Sequence, residues 1–160
     1  DVIPDRLPVG SLQRVLQNLL KERVSIRDLP AILEGVSEAS ALTRNLTLIT
    51  EHVRSCLGRY ISENNVNEKG FIPIIALSPE WENTFQDSLS GQGDDKQLAL
   101  APSRMQDFVA KTRQLFERQA ALGESPVLLT SPTVRPYVRS VLERFRPATP
   151  VLSQNEIHPK

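Results

Sequence analysis

Residues 10–39 read GSLQRVLQNLLKERVSIRDLPAILEGVSEA, and their spacing decides how the N-terminal part of the chain is built. Leu12, Val15, Leu16, Leu19 and Leu20 fall at i, i+3, i+4, i+7 and i+8, the stripe of a helix that faces a core. Gln13, Arg14, Gln17, Asn18, Lys21 and Glu22 fill the opposite face, and Ser11 is placed to cap the first turn. An elbow at residues 23–28 leads into a second helix. Ser25 and Asp28 have capping-box spacing, although Asp is a poorer reciprocal partner than Glu or Gln. With Asp28 as the N-cap, Pro30 takes the second helical position, where no backbone donor is needed. The second stripe is Leu29, Ile32, Leu33 and Val36, so the pair forms an αα-hairpin or corner.

Outward from this stretch, a third helix capped by Thr47 or Asn45 runs to about Ser62, with Leu46, Ile49, Val53, Leu57 and Tyr60 on its inner face. Residues 1–64 therefore read as a three-helix subdomain. The polar, turn-rich run ENNVNEKG at 63–70 is the boundary, and 65–160 reads as an α/β subdomain. FIPIIAL at 71–77 is a strand by composition, with Pro73 pointing to a sheet edge or an irregular start. Ser78-Pro79-Glu80 starts a helix whose inner face is Trp81, Phe85 and Leu89. SGQGDDKQ at 90–97 is a loop and LAL at 98–100 a short strand. Pro102 opens a long helix through Met105, Phe108, Val109, Thr112, Leu115, Phe116 and Gln119, closed by Gly123 at C′. PVLLT at 126–130 is a buried strand, and Ser131-Pro132 repeats the strand-then-cap device. The next helix buries Val134, Tyr137, Val138, Val141, Leu142 and Phe145 until Pro147 and Pro150, and PVLS at 150–153 is a further strand. The predicted class is α+β: a helical subdomain, then an α/β subdomain with a three- to four-stranded, mostly parallel sheet.

Composition narrows the functional classes. The 160 residues carry 19 Lys plus Arg against 19 Asp plus Glu, which favours neither nucleic acid nor an anionic membrane surface. No apolar run approaches the roughly 20 residues of a spanning helix, and no signal peptide is visible. The one cysteine excludes an internal disulfide and suits a reducing compartment. A start at Asp1 without Met reads as a fragment of a longer protein.

His52 and Cys56 stand at i, i+4 on one helix, the spacing of two metal ligands or of a thiolate pair. Only His158 adds a further imidazole, whereas zinc sites take three or four protein ligands, so the reading is no metal and a structural cysteine. No GxSxG, GxGxxG or GxxxxGK[ST] pattern occurs, and Asp94-Asp95 sit in a polar loop. The expectation is a chain with no catalytic residues and no cofactor. Glu80, Glu82, Asp87, Asp94 and Asp95 make an acidic segment, and Arg135, Arg139, Arg144 and Arg146 a basic one. Solvated helix faces are the plain reading; complementary surfaces between neighbouring copies or toward a partner are the sharper one. Candidate protein-contact residues are Arg27, Asp28, Arg54, Arg59, Arg135 and Arg139. Trp81 reads as core before partner hot spot.

LQRVLQNLLKERVSIRDLPAILEGVSE at 12–38, LITEHVRSCLGRYI at 48–61, SPVLLTSPTVRPYVRSVLERF at 125–145 and PVLSQNEI at 150–157 together resemble the FlhA family. These are the large export-gate membrane proteins of flagellar and injectisome type III secretion. The resemblance implies the third and fourth subdomains of the C-terminal cytoplasmic part. It also implies a nine-membered ring below the gate, with export chaperones, substrates and other export-apparatus proteins as partners. Its place is the cytoplasmic face of the bacterial inner membrane, held there only through an N-terminal region absent from this chain. The flagellar branch is favoured over the injectisome homologue through LQRVLQNLL and the NEI ending. The rival of another class is a small nucleotide-binding α/β enzyme domain, carried by the strand–Ser-Pro–helix pattern alone. A winged-helix DNA binder is disfavoured by eight basic and eight acidic residues in 1–64.

Overall fold

The computed structural model describes residues 8–157. They form two compact units: one of the residues up to 64 together with those from 155 onward, the other of residues 65–154.

The first unit is helical: α1 (Val9–Lys21), α2 (Leu29–Ser40), α3 (Leu46–Cys56) and α4 (Gly58–Glu63). Val15, Leu19, Ile32, Val36, Ile49 and Val53 are fully buried between α1, α2 and α3, at about 1.5–3 kcal/mol for each large aliphatic side chain removed from water. Asp28 caps α2 by accepting from the Ala31 N–H at 3.2 Å, and Asn45 rather than Thr47 caps α3 by accepting from the Leu48 N–H at 3.1 Å. Two expectations are corrected. Ser11 is not a cap: α1 starts at Val9, and the Ser11 and Leu12 N–H groups bond to the Pro8 carbonyl at 3.0 and 3.1 Å. The third predicted helix is two helices, broken at Leu57, whose N–H is shared between the Val53 and Arg54 carbonyls.

The second unit contains β1 (Ile74–Ala76), α5 (Pro79–Asp87), β2 (Leu89–Ser90), β3 (Gln97–Leu98), α6 (Pro102–Ala121), β4 (Val127–Thr130), α7 (Arg135–Leu142) and β5 (Val151–Ser153). β1, β4 and β5 make a parallel sheet in that order, with Ile75 opposite Leu128 and Leu129 opposite Leu152. Pro73 precedes the edge strand β1, as a residue without a ladder donor should. β2 and β3 pair separately as an antiparallel hairpin. Its loop needs glycine at 91: φ is +119° there, and an added Cβ would overlap the Asp95 carbonyl oxygen. Phe85, Phe108, Phe116, Leu128, Val138, Leu142 and Val151 form the core, with Phe85 edge-on to Phe108 at 5.0 Å and Trp81 edge-on to Phe108 at 5.3 Å.

Ser78 caps α5, accepting from the Trp81 N–H at 3.2 Å, but Ser131 does not cap α7. A helix begun at Pro132 would need an N–H from Pro136, which has none, so α7 starts at Arg135 with Pro136 in its first turn. The tail also departs from the expected 65–160 subdomain: a 3-10 turn at Gln154–Glu156 carries the chain back to the helical unit.

Candidate functional site

The elbow between α1 and α2 is built by its own backbone. The Val24 N–H bonds to the Leu19 carbonyl and the Arg23 N–H to the Leu20 carbonyl, both at 2.9 Å, with Arg23 at φ 62°. This is a Schellman motif that holds arginine where glycine is usual. Beyond it Arg27 is exposed, and Asp28 does two jobs: Oδ1 caps α2, while Oδ2 accepts from the Tyr60 hydroxyl of α4 at 3.3 Å. Leu20, Leu29 and Tyr60 are 52%, 42% and 51% exposed, and Arg59 beside Tyr60 is exposed as well. The unit thus keeps uncovered apolar and cationic side chains on the elbow and on α4.

Three of the candidate contact arginines are internal. Arg54, 2% exposed, donates from Nε and Nη2 to the two carboxylate oxygens of Glu156, both at 2.9 Å, across 102 positions of sequence. Glu22 lies 3.7 Å from Nη1, and the Ser62 hydroxyl donates to the Glu156 carbonyl at 2.7 Å. Arg135, 1% exposed, donates to the Val151 carbonyl at 2.8 Å. Arg139 donates to the Pro147 and Thr149 carbonyls at 3.2 and 3.4 Å and lies 3.7 Å from Glu143. With several donors each, the Arg135 and Arg139 guanidiniums gather backbone carbonyls, and Arg54 gathers carboxylates. Arg135 and Arg139 of the basic segment are therefore structural, while Arg144 is exposed. Arg146 continues the segment, stacked 4.5 Å over Phe116 and bonded to the Thr149 hydroxyl at 3.0 Å. Of the six candidates, Arg27 and Arg59 face solvent and Asp28 is half-buried.

On α2 and α3 the structure adds a residue that sequence spacing alone does not supply. Glu38 Oε1 lies 2.9 Å from His52 Nε2 and accepts from the Cys56 thiol at 3.9 Å. Burial pushes the Cys56 thiol up from its ordinary range, and the negative charges of Glu38 and then Glu34 push it further. The signal available in sequence was the facing of two consecutive antiparallel helices, which places Glu38 near the end of one opposite the His52–Cys56 ridge of the next.

In the second unit Glu82 is not a solvated charge. Its two oxygens accept from the Ser131 N–H at 2.8 Å and the Ser131 hydroxyl at 2.6 Å. A carboxylate of the chain itself thus holds the backbone donor at the end of β4, where an α/β nucleotide site would place a phosphate. A cavity of about 250 Å³ is lined by Ala76, Leu77, Trp81, Phe108, Lys111 and Leu115 among others, below the roughly 300–1,000 Å³ of small-molecule sites. Glu80 and Lys111 are the ionisable groups in its wall, and no nucleophile–base pair accompanies them. None of the described helices is long and apolar enough to cross a membrane.

Comparison with known proteins agrees with this geometry. The FHIPEP family matches residues 1–160. The chain is 58% identical over 160 residues to the flagellar biosynthesis protein FlhA of Caulobacter vibrioides, covering 100% of this chain and 23% of that protein. It is 35% identical over 157 residues to FlhA of Bacillus subtilis, covering 98% and 23%. It thus spans about a quarter of the length of these curated relatives. Among solved structures, Chlamydia pneumoniae CdsV aligns with a TM-score of 0.85 at 35% identity, over 96% of this chain and 44% of that one. Nonameric EPEC SctV-C aligns at 0.79 and 26%, over 94% and 48%. The α+β class and the type III export-gate resemblance both stand, and on the match over its full length the chain belongs to the FHIPEP family.

Proposed function

We propose that the chain is the C-terminal portion of the cytoplasmic part of a flagellar type III protein-export gate, corresponding to its third and fourth subdomains. It works by offering surface, first to other copies of itself in a ring and then to export chaperones, substrates and export-apparatus proteins. The observation that carries the reading is 58% identity to a flagellar FlhA along the whole chain. Support for assembly comes from neighbours: SctV-C and the EscV cytosolic domain are nonameric, and CdsV has been solved in complex with CdsO. The injectisome alternative draws on those same structures, yet at 25–33% identity. A non-enzymatic role fits the small apolar cavity and the use of Glu82 to fill the β4 end.

Exchanging the matching segment of Caulobacter vibrioides FlhA for these 160 residues tests the proposal. Flagellin secretion and swimming in soft agar are expected to persist. A chimera present at normal level that exports no flagellin would overturn it. For the ring, Arg27→Glu combined with Arg59→Glu in the chimeric cytoplasmic part should shift native mass spectra from rings toward single copies. Unchanged rings would remove the elbow and α4 from the contact surface.

A further inference from the structure

We infer that Glu38, His52 and Cys56 form a three-ligand site for a zinc-class divalent cation, a metal staple between α2 and α3. Nothing in the export-gate reading requires it. The ligand atoms, one carboxylate oxygen, one imidazole nitrogen and one sulfur, all lie within 4.8 Å of one another. A tetrahedral zinc with ordinary bond lengths sets its N···O and S···O ligand pairs about 3.4 and 3.6 Å apart. The observed pairs are 2.9 Å for Nε2···Oε1 and 3.9 Å for Sγ···Oε1. The third pair, Nε2···Sγ, lies within 4.8 Å against about 3.6 Å for tetrahedral zinc, so rotation of the side chains must open the carboxylate–imidazole pair and draw the sulfur in to centre a metal. The side chains are free to make it, since those of His52 and Glu38 are 41% and 55% exposed.

Three further features suit a cation. The donor set mixes sulfur, nitrogen and oxygen, a borderline-soft combination that selects zinc over magnesium or calcium. Glu34 places a second carboxylate field on the same sulfur from one turn earlier on α2. Gly35 makes the room: a Cβ there would stand 3.3 Å from Cys56 Sγ, so a side chain would crowd the thiol out of the groove between the helices. The fourth position faces solvent and takes a water, the arrangement of three protein ligands plus one exchangeable site.

Titrating the 160-residue chain with Co²⁺ reads the site directly. One equivalent should bring up a near-ultraviolet thiolate-to-cobalt band together with visible absorption of four-coordinate intensity, and Zn²⁺ should bleach both. Cys56→Ser should abolish the band. His52→Gln and Glu38→Gln should each weaken binding more than about 10–100-fold, the range already seen for loss of outer-shell partners. Zn²⁺ at a hundredfold excess over its Kd should raise the unfolding temperature by roughly 5–10 °C, and Cys56→Ser, an exposed substitution with circular dichroism as its folding check, should lose that shift. No thiolate band with excess metal overturns the site. A band that survives both His52→Gln and Glu38→Gln reports a lone thiol collecting metal and overturns it equally.

Discussion

Arg23 and Gly123 occupy the same structural position in this molecule, the left-handed residue after a helix. After α6, the Glu124 N–H reaches the Gln119 carbonyl and the Gly123 N–H reaches the Ala120 carbonyl, both at 3.0 Å with Gly123 at φ 80°, and α1 repeats the pattern around Arg23. Glycine adopts that backbone without strain, whereas a residue with a Cβ pays roughly 1–2 kcal/mol. Arg23→Gly removes the strain and returns part of it as extra freedom in the unfolded chain. The expected net is a stabilisation of about 0.5–1 kcal/mol, read as a higher urea midpoint at unchanged slope. Gly123 was legible in the sequence because glycine announces the motif; Arg23 was not, because its conformation is imposed by Leu19 and Val24, both buried. Arg54 was misread for a related reason. It flanks the Ile49–Val53 stripe and looks like surface until Glu156 arrives from 102 positions away. Glu156→Ala leaves a buried guanidinium stripped of its two-oxygen partner, with Glu22 3.7 Å from Nη1 as the remaining acid, and should cost about 3–5 kcal/mol in chemical denaturation. Combining Arg54→Met with Glu156→Leu should recover most of that loss, and a double variant no more stable than Glu156→Ala would show that the pair was not the source.

At the scale of elements, α2 and α3 approach closely because Gly35 has no side chain: an added Cβ would stand 3.3 Å from Cys56 Sγ and 3.4 Å from Val53 Cγ2. Gly35→Val should therefore cost about 1–3 kcal/mol by overpacking, seen as a lower melting temperature with helical circular dichroism retained. The link between α5 and the end of β4 behaves differently. Glu82→Ala removes two charge-assisted bonds from a half-buried site and should cost about 1–2 kcal/mol, while Ser131→Ala keeps the backbone bond and should cost less. Equal losses would mean that the hydroxyl alone matters. Periodicity and caps located the helices and the three parallel strands to within a few residues, except that α3 and α4 read as one helix. They could not show that β1 shrinks to Ile74–Ala76 or that residues 89–98 fold into a hairpin. Both outcomes depend on partners distant in sequence: β1 lasts only as far as β4 pairs with it, and the hairpin depends on the Gly91 conformation.

At the scale of the whole chain, exposed glycine-containing loops and the run at 63–70 are where backbone is least protected by packing. Limited proteolysis should nick residues 63–70 and 90–97 first, and fragments cut elsewhere would contradict the division into units at 64 and 65. The abrupt change of polarity at 63–70 falls beside the break between residues 64 and 65, whereas PVLSQNEI reads locally as a strand and a turn and carries no sign that its last residues group with the helices. The basic run from Arg135 looks like a face, yet the carbonyls of Val151, Pro147 and Thr149 consume it from within.

The bond between Arg54 and Glu156 also sets a clock on synthesis. A ribosome adding about 5–20 residues per second delivers Arg54 roughly 5–20 s before its carboxylate, given the 102 positions between them. Throughout that interval the helices hold a guanidinium with only Glu22, 3.7 Å from Nη1, beside it, so their tight state waits for the segment that carries Glu156. A message truncated shortly before the codon for Glu156 should then yield a polypeptide that proteases clear, even though all four helices of the first unit have been translated.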